Sequence, residues 1–222
     1  EKKLYFIIDD AGYSIEQLKP FLEFPAVLTI AVLPGLPHST ECAQLIHKSG
    51  KQVFLHQPME AIGKNNPGPS AIMLGMDNSE IIETFTRNVD SLPFVKGFNN
   101  HMGSAVTSNI QIMETILKTA SKKHLFFTDS LTTADSKCKE VAEKLGITIA
   151  KRDVFLDNVD NREAIMESLN TGLNIAENKG HAVMIGHVWS SELADTMMEI
   201  YPNLIEDGFT LEEMSDLILG DM

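Results

Sequence analysis

Two adjacent carboxylates, Asp9 and Asp10, follow the first apolar run of this sequence, and His56, His101 and His187 each follow a later one. Imidazole nitrogen and carboxylate oxygen are the donors of a catalytic zinc or a similar divalent ion. Three protein donors leave a position for water. Such an ion lowers that water's pKa toward about 7 and polarises a carbonyl oxygen. Adjacent aspartates suit a division of labour, one ligating and the other accepting the water's proton. On an ideal strand neighbouring side chains diverge, but at a strand end the backbone turns and both can face one pocket. Helix starts want Ser, Asp or Asn, so turns and caps account for part of this pattern. They do not account for three histidines beside two carboxylates.

Elements with a common polar end must bring these residues together. Short apolar runs occupy 4–8, 27–32, 52–55, 95–98, 124–128, 147–150 and 182–185. None alternates strictly, which predicts parallel strands covered on both faces. Helical patterns lie between them. Ser14 with Gln17, Ser108 with Gln111, and Thr210 with Glu213 have the capping-box form; Asp77 with Glu80 and Asp160 with Glu163 use Asp as the cap. Gly50, Gly146 and Gly180 follow helices where a left-handed residue is wanted, and Pro93 and Pro202 close two others. Residues 60–76, with Pro67, Gly68 and Pro69, read as a long loop facing the substrate, a candidate lid. No repeat or linker interrupts the pattern, so one domain over residues 1–222 is expected. Either an open doubly wound sheet or an imperfect β/α barrel fits, and both put ligands at the carboxyl ends of the strands. Besides the residues above, those ends collect His38, Asn99, Asn100, Asp129, Ser130, Arg152, Asp153 and Trp189.

The charge narrows the partners. With 31 acidic against 18 basic residues the formal net charge is −13, which disfavours nucleic acid and anionic membrane surfaces. Acidic glycans are disfavoured more weakly, whereas neutral and amino-sugar polymers remain open. No apolar run reaches the length of a membrane span. Cys42 and Cys138 lie in helical patterns without a Cys-x-x-Cys motif and read as unpaired small apolar residues. The first residue is Glu1, directly before a strand, which reads as a mature or trimmed chain. An extracytoplasmic location (secreted, periplasmic or cell envelope) after signal removal is the expectation.

Four segments carry a resemblance: Ile7-Ile8-Asp9-Asp10-Ala11-Gly12-Tyr13, Leu33-Pro34-Gly35-Leu36-Pro37-His38-Ser39, His56-Gln57-Pro58-Met59-Glu60 and Gly97-Phe98-Asn99-Asn100-His101-Met102-Gly103-Ser104. They resemble the divergent polysaccharide deacetylase (YibQ-like) family, a distant relative of the NodB-homology carbohydrate esterases. Phe127-Thr128-Asp129-Ser130 and Gly186-His187 extend the likeness. It implies an α/β fold, a distorted seven-stranded parallel β/α barrel. In the esterases a Thr-Phe-Asp-Asp motif carries a base followed by a metal ligand, which implies Asp9 as base and Asp10 as ligand. Their His-x-x-x-His motif has His56 at its first position but Glu60 at its second. Their Arg-x-Pro-Tyr motif falls on Asn99, Asn100, His101 and Met102, so the Arg that steadies the base is missing.

A ligand swap reconciles these departures, with His101 replacing the imidazole absent at position 60. Glu60 could ligate instead or steady a ligand. The last motif, Leu-x-His, makes His187 the general acid, and Arg152 is the candidate substitute for the missing Arg. Asn99, Asn100, Asp129 and Arg152 are candidates to bind sugar hydroxyls or orient ligands, and Tyr13 and Trp189 to line a sugar site. The implied activity is metal-dependent removal of acetyl groups from N-acetylated sugars of a polysaccharide or oligosaccharide, with zinc foremost among the ions. Two rivals stand beside it: a non-catalytic glycan-binding or envelope protein that retains the barrel, and a metal hydrolase acting on an ester or phosphoester.

Overall fold

A computed structural model describes residues 2–63 and 65–220. Its elements run β1 (Lys2–Ala11), α1 (Ile15–Glu23), β2 (Thr29–Val32), α2 (Ser39–Lys48), β3 (Gln52–Met59), α3 (Asn78–Asp90), β4 (Val95–Met102), α4 (Ile110–Lys122) and β5 (Phe126–Asp129). There follow α5 (Cys138–Leu145), β6 (Ala150–Lys151), β7 (Val154–Phe155), α6 (Arg162–Lys179), β8 (His181–His187), α7 (Ser191–Glu206), β9 (Phe209–Leu211) and α8 (Met214–Leu219). All strand pairings are parallel, in the order β6-β5-β4-β3-β2-β1-β8-β7, with β9 alongside the start of β1.

This sheet curls into a half-barrel, because its two outer strands belong to one short stretch of chain. Between β6 and β7 only Arg152 and Asp153 intervene. Their N–H groups donate to Asp129 O at 2.9 Å and Val183 O at 2.8 Å, on opposite edges of the sheet. The single strand expected at 147–150 is therefore replaced by two of two residues each, since the segment spans a gap and pairs with each edge in turn. The sheet path thus holds eight strands rather than seven, and β9 is a further strand beyond the expected set.

Alternation along each strand sorts side chains between two cores. Leu4, Phe6, Ile8, Val53, Leu55, Phe98 and Met184 face the helices, whereas Tyr5, Ile7, Phe54, Val183 and Ile185 form a smaller cluster inside the curl. From α8, Met214, Leu217 and Ile218 plug one end of that interior. Continuing the inward parity past the apolar layer brings Asp9, His56, Asn99, His101 and His187 to the other end. Burial on both faces explains why these strands show no alternation in sequence.

Two caps agree with the sequence: Ser14 accepts from Gln17 N, and Asp77 with Glu80 forms a reciprocal box. Others shift by a residue, to Asn109 for α4 and Asn161 for α6. Thr210 lies in β9, and the box there is Glu213 with Asp216. Pro202 does not end a helix but sits inside α7, on an exposed face where the carbonyl one turn earlier can meet solvent. Within the 60–76 loop, Lys64 lies outside the described residues. The loop is tethered rather than a free lid, because buried Ile72 pairs with β3 through Glu60 N to Ile72 O and Ile72 N to Pro58 O, both 2.9 Å. Cys42 and Cys138 are buried and unpaired. Among the described residues no helix is long and apolar enough to cross a membrane.

Candidate active site

Asp10 is the residue that strand parity would send the wrong way. A register shift against β2 between Ile8 and Ala11, with Asp10 at φ 67°, turns its carboxylate inward beside Asp9. A non-glycine residue in the left-handed region is uncommon, and Asp is among the types that tolerate it.

Three donor atoms then converge. Asp10 Oδ1 lies 3.3 Å from His56 Nε2 and 3.2 Å from His101 Nδ1, and the two nitrogens are 3.2 Å apart. Donors at about 2.0–2.2 Å around a tetrahedral ion stand roughly 3.3–3.6 Å from one another, so the near-equilateral triangle is of the right size. Among the described residues Asp10 Oδ1 is also buried without a hydrogen-bond partner, which is costly unless something else takes its lone pairs. Among the described residues, this is the cluster of His, Cys, Asp and Glu with the spacing to hold a metal ion. Donor chemistry, spacing and the orphaned oxygen all fit a divalent ion.

The neighbours fix which lone pairs are presented. Asn99 Nδ2 donates to Asp9 Oδ1 at 2.8 Å, and His56 Nδ1 lies 2.7 Å from Asn99 Oδ1. A carboxylate only accepts, so Asn99 gives Asp9 its amide N–H and turns its oxygen to His56. His56 therefore donates from Nδ1 and directs Nε2 at Asp10 and His101. On the far side, Trp189 Nε1 donates to Asp10 Oδ2 at 3.1 Å. His187 is in register with Asp9 across β1 and β8. Buried Asp157 orients it, accepting from His187 Nδ1 and from its backbone N–H, both at 2.7 Å.

Burial is the strongest influence on Asp9 and raises its carboxyl above the usual range, against the pull of His56, His187 and the Asn99 hydrogen bond. Burial acts to raise Asp10 too, but His101 and His56 outweigh it and hold the group well below the usual range. For His56 burial works downward, yet Asp9, Asp10 and Asn99 push the imidazole up to about 9. His187 is likewise raised, burial being overcome by Asp157 and Asp9. The two adjacent carboxyls are thus pushed apart, Asp9 toward holding a proton and Asp10 toward the anion.

Other predicted site residues do not join this cluster. Glu60 Oε2 accepts from Leu74 N at 2.7 Å and its carbonyl takes Ala105 N and Val106 N, so it braces the loop and is not a third donor. Arg152 does not replace the missing Arg at Asp9, because its Nε and Nη2 bond to Ser130 O and Leu131 O and its guanidinium covers the Phe155 ring. Asn99 holds Asp9 instead. Asp129 accepts from Leu131 N and Ser136 Oγ, and Asn100 accepts from Ser130 N and donates to Met102 O, so both brace the loops beside the strand ends. His38 is half-buried and pairs with Glu41. Sequence reasoning missed Asp157, and it took Trp189 for a surface that lines the site. The signal for Asp157 was its place just after β7, a strand too short to show a pattern.

A family model described as divergent polysaccharide deacetylase matches residues 6–218. The uncharacterized protein YibQ of Escherichia coli (strain K12) is 32% identical over 216 residues, covering 97% of this chain and 67% of that protein. Solved structures show the same fold. An uncharacterized protein from Agrobacterium tumefaciens C58 superposes with a TM-score of 0.93 at 19% identity, over 98% of this chain and 89% of that one. A family 4 carbohydrate esterase from Streptomyces lividans, in complex with acetate, gives 0.58 at 14% identity, over 95% and 92%. A CE4 family pseudoenzyme from Bacillus anthracis gives 0.55 at 13%, over 98% and 66%.

Proposed function

The chain belongs to the divergent polysaccharide deacetylase family, and from that premise we propose that it is a metal-dependent hydrolase removing acetyl groups from N-acetylated sugars of a polysaccharide or oligosaccharide. The observation that carries this reading is the donor triangle of Asp10, His56 and His101 set directly beside the buried carboxyl of Asp9. A divalent ion held by those three residues, zinc suiting the donor set best, supplies a Lewis acid that acidifies water and polarises the acetamide carbonyl. Asp9, raised by burial and oriented by Asn99, accepts the proton of the attacking water. His187, protonated and aligned by Asp157, gives a proton to the leaving amine. A positioned acid or base of this kind contributes roughly 10²–10⁴ in rate. The swap of an imidazole from position 60 to position 101 keeps an Asp/His/His donor set while replacing the esterases' Arg with Asn99. A glycan substrate of the envelope would put the protein outside the cytoplasm.

The second reading, a glycan-binding protein without catalysis, is favoured by the altered motifs at positions 60 and 99 and by a pseudoenzyme of the same fold. One set of measurements separates the two. Purified protein should hold about one divalent ion, released by His56→Ala and by His101→Ala; retention in both variants sinks the donor assignment. Acetate release from chitooligosaccharides or peptidoglycan fragments, abolished in Asp9→Asn, is the expected activity. Inactivity of metal-loaded protein on a panel of N-acetyl and O-acetyl glycans overturns the deacetylase in favour of the binding protein.

A further inference from the structure

Asp10 has two oxygens in unlike surroundings. Oδ1 faces His56 and His101 without a hydrogen bond, whereas Oδ2 accepts the indole N–H of Trp189 at 3.1 Å. The indole is itself held. Its ring stacks on His187 with centroids 4.9 Å apart and planes within 15°, and His187 is fixed by two 2.7 Å contacts to buried Asp157. Val188 N, one residue before Trp189, donates to Asp9 O at 3.0 Å, which ties this turn to the strand carrying both aspartates. A continuous chain of contacts therefore runs from Asp157 through His187 and Trp189 to Asp10. Yet Trp189 is 44% exposed, so burial alone does not explain its position.

We infer that Trp189 is a positioning residue for Asp10: its N–H occupies Oδ2, so the carboxylate offers the ion Oδ1 alone. The inference rests on the metal-site reading above. A carboxylate free to rotate can ligate through both oxygens and fill a position that water needs; an N–H fixed on one oxygen prevents this. Partners behind metal ligands commonly matter in this way, their loss costing about 10–100-fold in affinity or activity. The same contact couples the two halves of the site, since a shift of His187 would be felt at Asp10 through the stacked indole.

The test uses the full chain with zinc as the probe. Trp189→Phe keeps a ring to stack on His187 and removes the N–H. Competition with a chromophoric chelator should show zinc bound about 10–100-fold more weakly by the variant than by wild type. Cobalt(II)-loaded wild type and variant should also differ in visible absorption, because a second carboxylate oxygen entering the coordination sphere changes it. Trp189 is the only tryptophan in the chain, so wild-type emission should change with zinc at the midpoint found by competition. Equal zinc affinity in the folded variant overturns the proposal, as does emission indifferent to zinc that competition shows to bind. If Trp189→Phe fails to fold, by circular dichroism in chelator, the wild-type emission decides alone. Wild-type protein that binds no zinc overturns instead the metal site on which the inference stands.

Discussion

Each of the two inner histidines is aimed by a group behind it, and the choice of group sets its task. Asn99 Oδ1 accepts the Nδ1 hydrogen bond of His56 without adding a charge, which leaves Nε2, turned to Asp10 and His101, as the nitrogen to ligate once its proton is displaced. Asp157 is buried and ionisable, so it favours the imidazolium of His187. Because the folded pKa of His187 lies above the usual 6.5, its pairing stabilises the fold fully below that pH. The contribution is lost as pH rises through the raised value. In the proposed reaction His187 is the acid over the same range, so its deprotonation would mark the alkaline limb of activity. In Asp157→Asn that limb of kcat/KM should move to lower pH, with activity reduced within the roughly 10²–10⁴-fold worth of a positioned acid. An unchanged pH profile would remove Asp157 from this role. The histidines and paired aspartates were legible in the sequence because parallel strands end in solvent and their inward parity continues past the core. Asp157 was not, because the strand before it is two residues long and the expected strand end fell on Arg152 and Asp153.

At the scale of elements, the site rests on a tightly filled layer one step deeper in the curl. Phe54, Gly97 and Phe126 stand in register on β3, β4 and β5, and His56, Asn99 and Thr128 follow two residues on. A Cβ at Gly97 would lie 2.7 Å from both the Phe54 ring and the backbone oxygen of Phe126. Neither can yield without moving a strand or a core ring. Gly97→Ala should therefore cost about 1–3 kcal/mol, the usual penalty of overpacking. Urea unfolding should show it as a lower midpoint with an unchanged slope; an unshifted midpoint would mean the layer has slack. Strands such as β1, β3, β4 and β8 could be found from their apolar runs, and α3 from its Asp77–Glu80 box. The halves β6 and β7 could not, since their pairing depends on where the two sheet edges lie, which no local pattern encodes. Thr210 misled for a related reason: its spacing to Glu213 imitates a cap, but pairing with β1 draws it into a strand.

For the whole molecule, the net charge of −13 would bear on the proposed reaction more than on the fold. Removing an acetyl group converts a neutral amide into an amine that is cationic at neutral pH, so substrate and product differ by a charge. A strongly acidic protein attracts the product and is indifferent to the neutral substrate. Screening weakens such attraction as the Debye length falls to about 8 Å near physiological salt. In the proposed reaction, inhibition by glucosamine oligomers should therefore weaken several-fold between about 20 mM and about 300 mM salt, while KM for the neutral N-acetyl oligomer scarcely moves. Initial rates across a salt series, with and without added product, measure both. A carboxylate-bearing glycan should show the opposite trend, its reaction improving as salt screens the repulsion. Equal salt dependence for all three ligands would mean that the acidic groups act only on solubility. A product-selective response would tie the acidity of the chain to release of the deacetylated polymer.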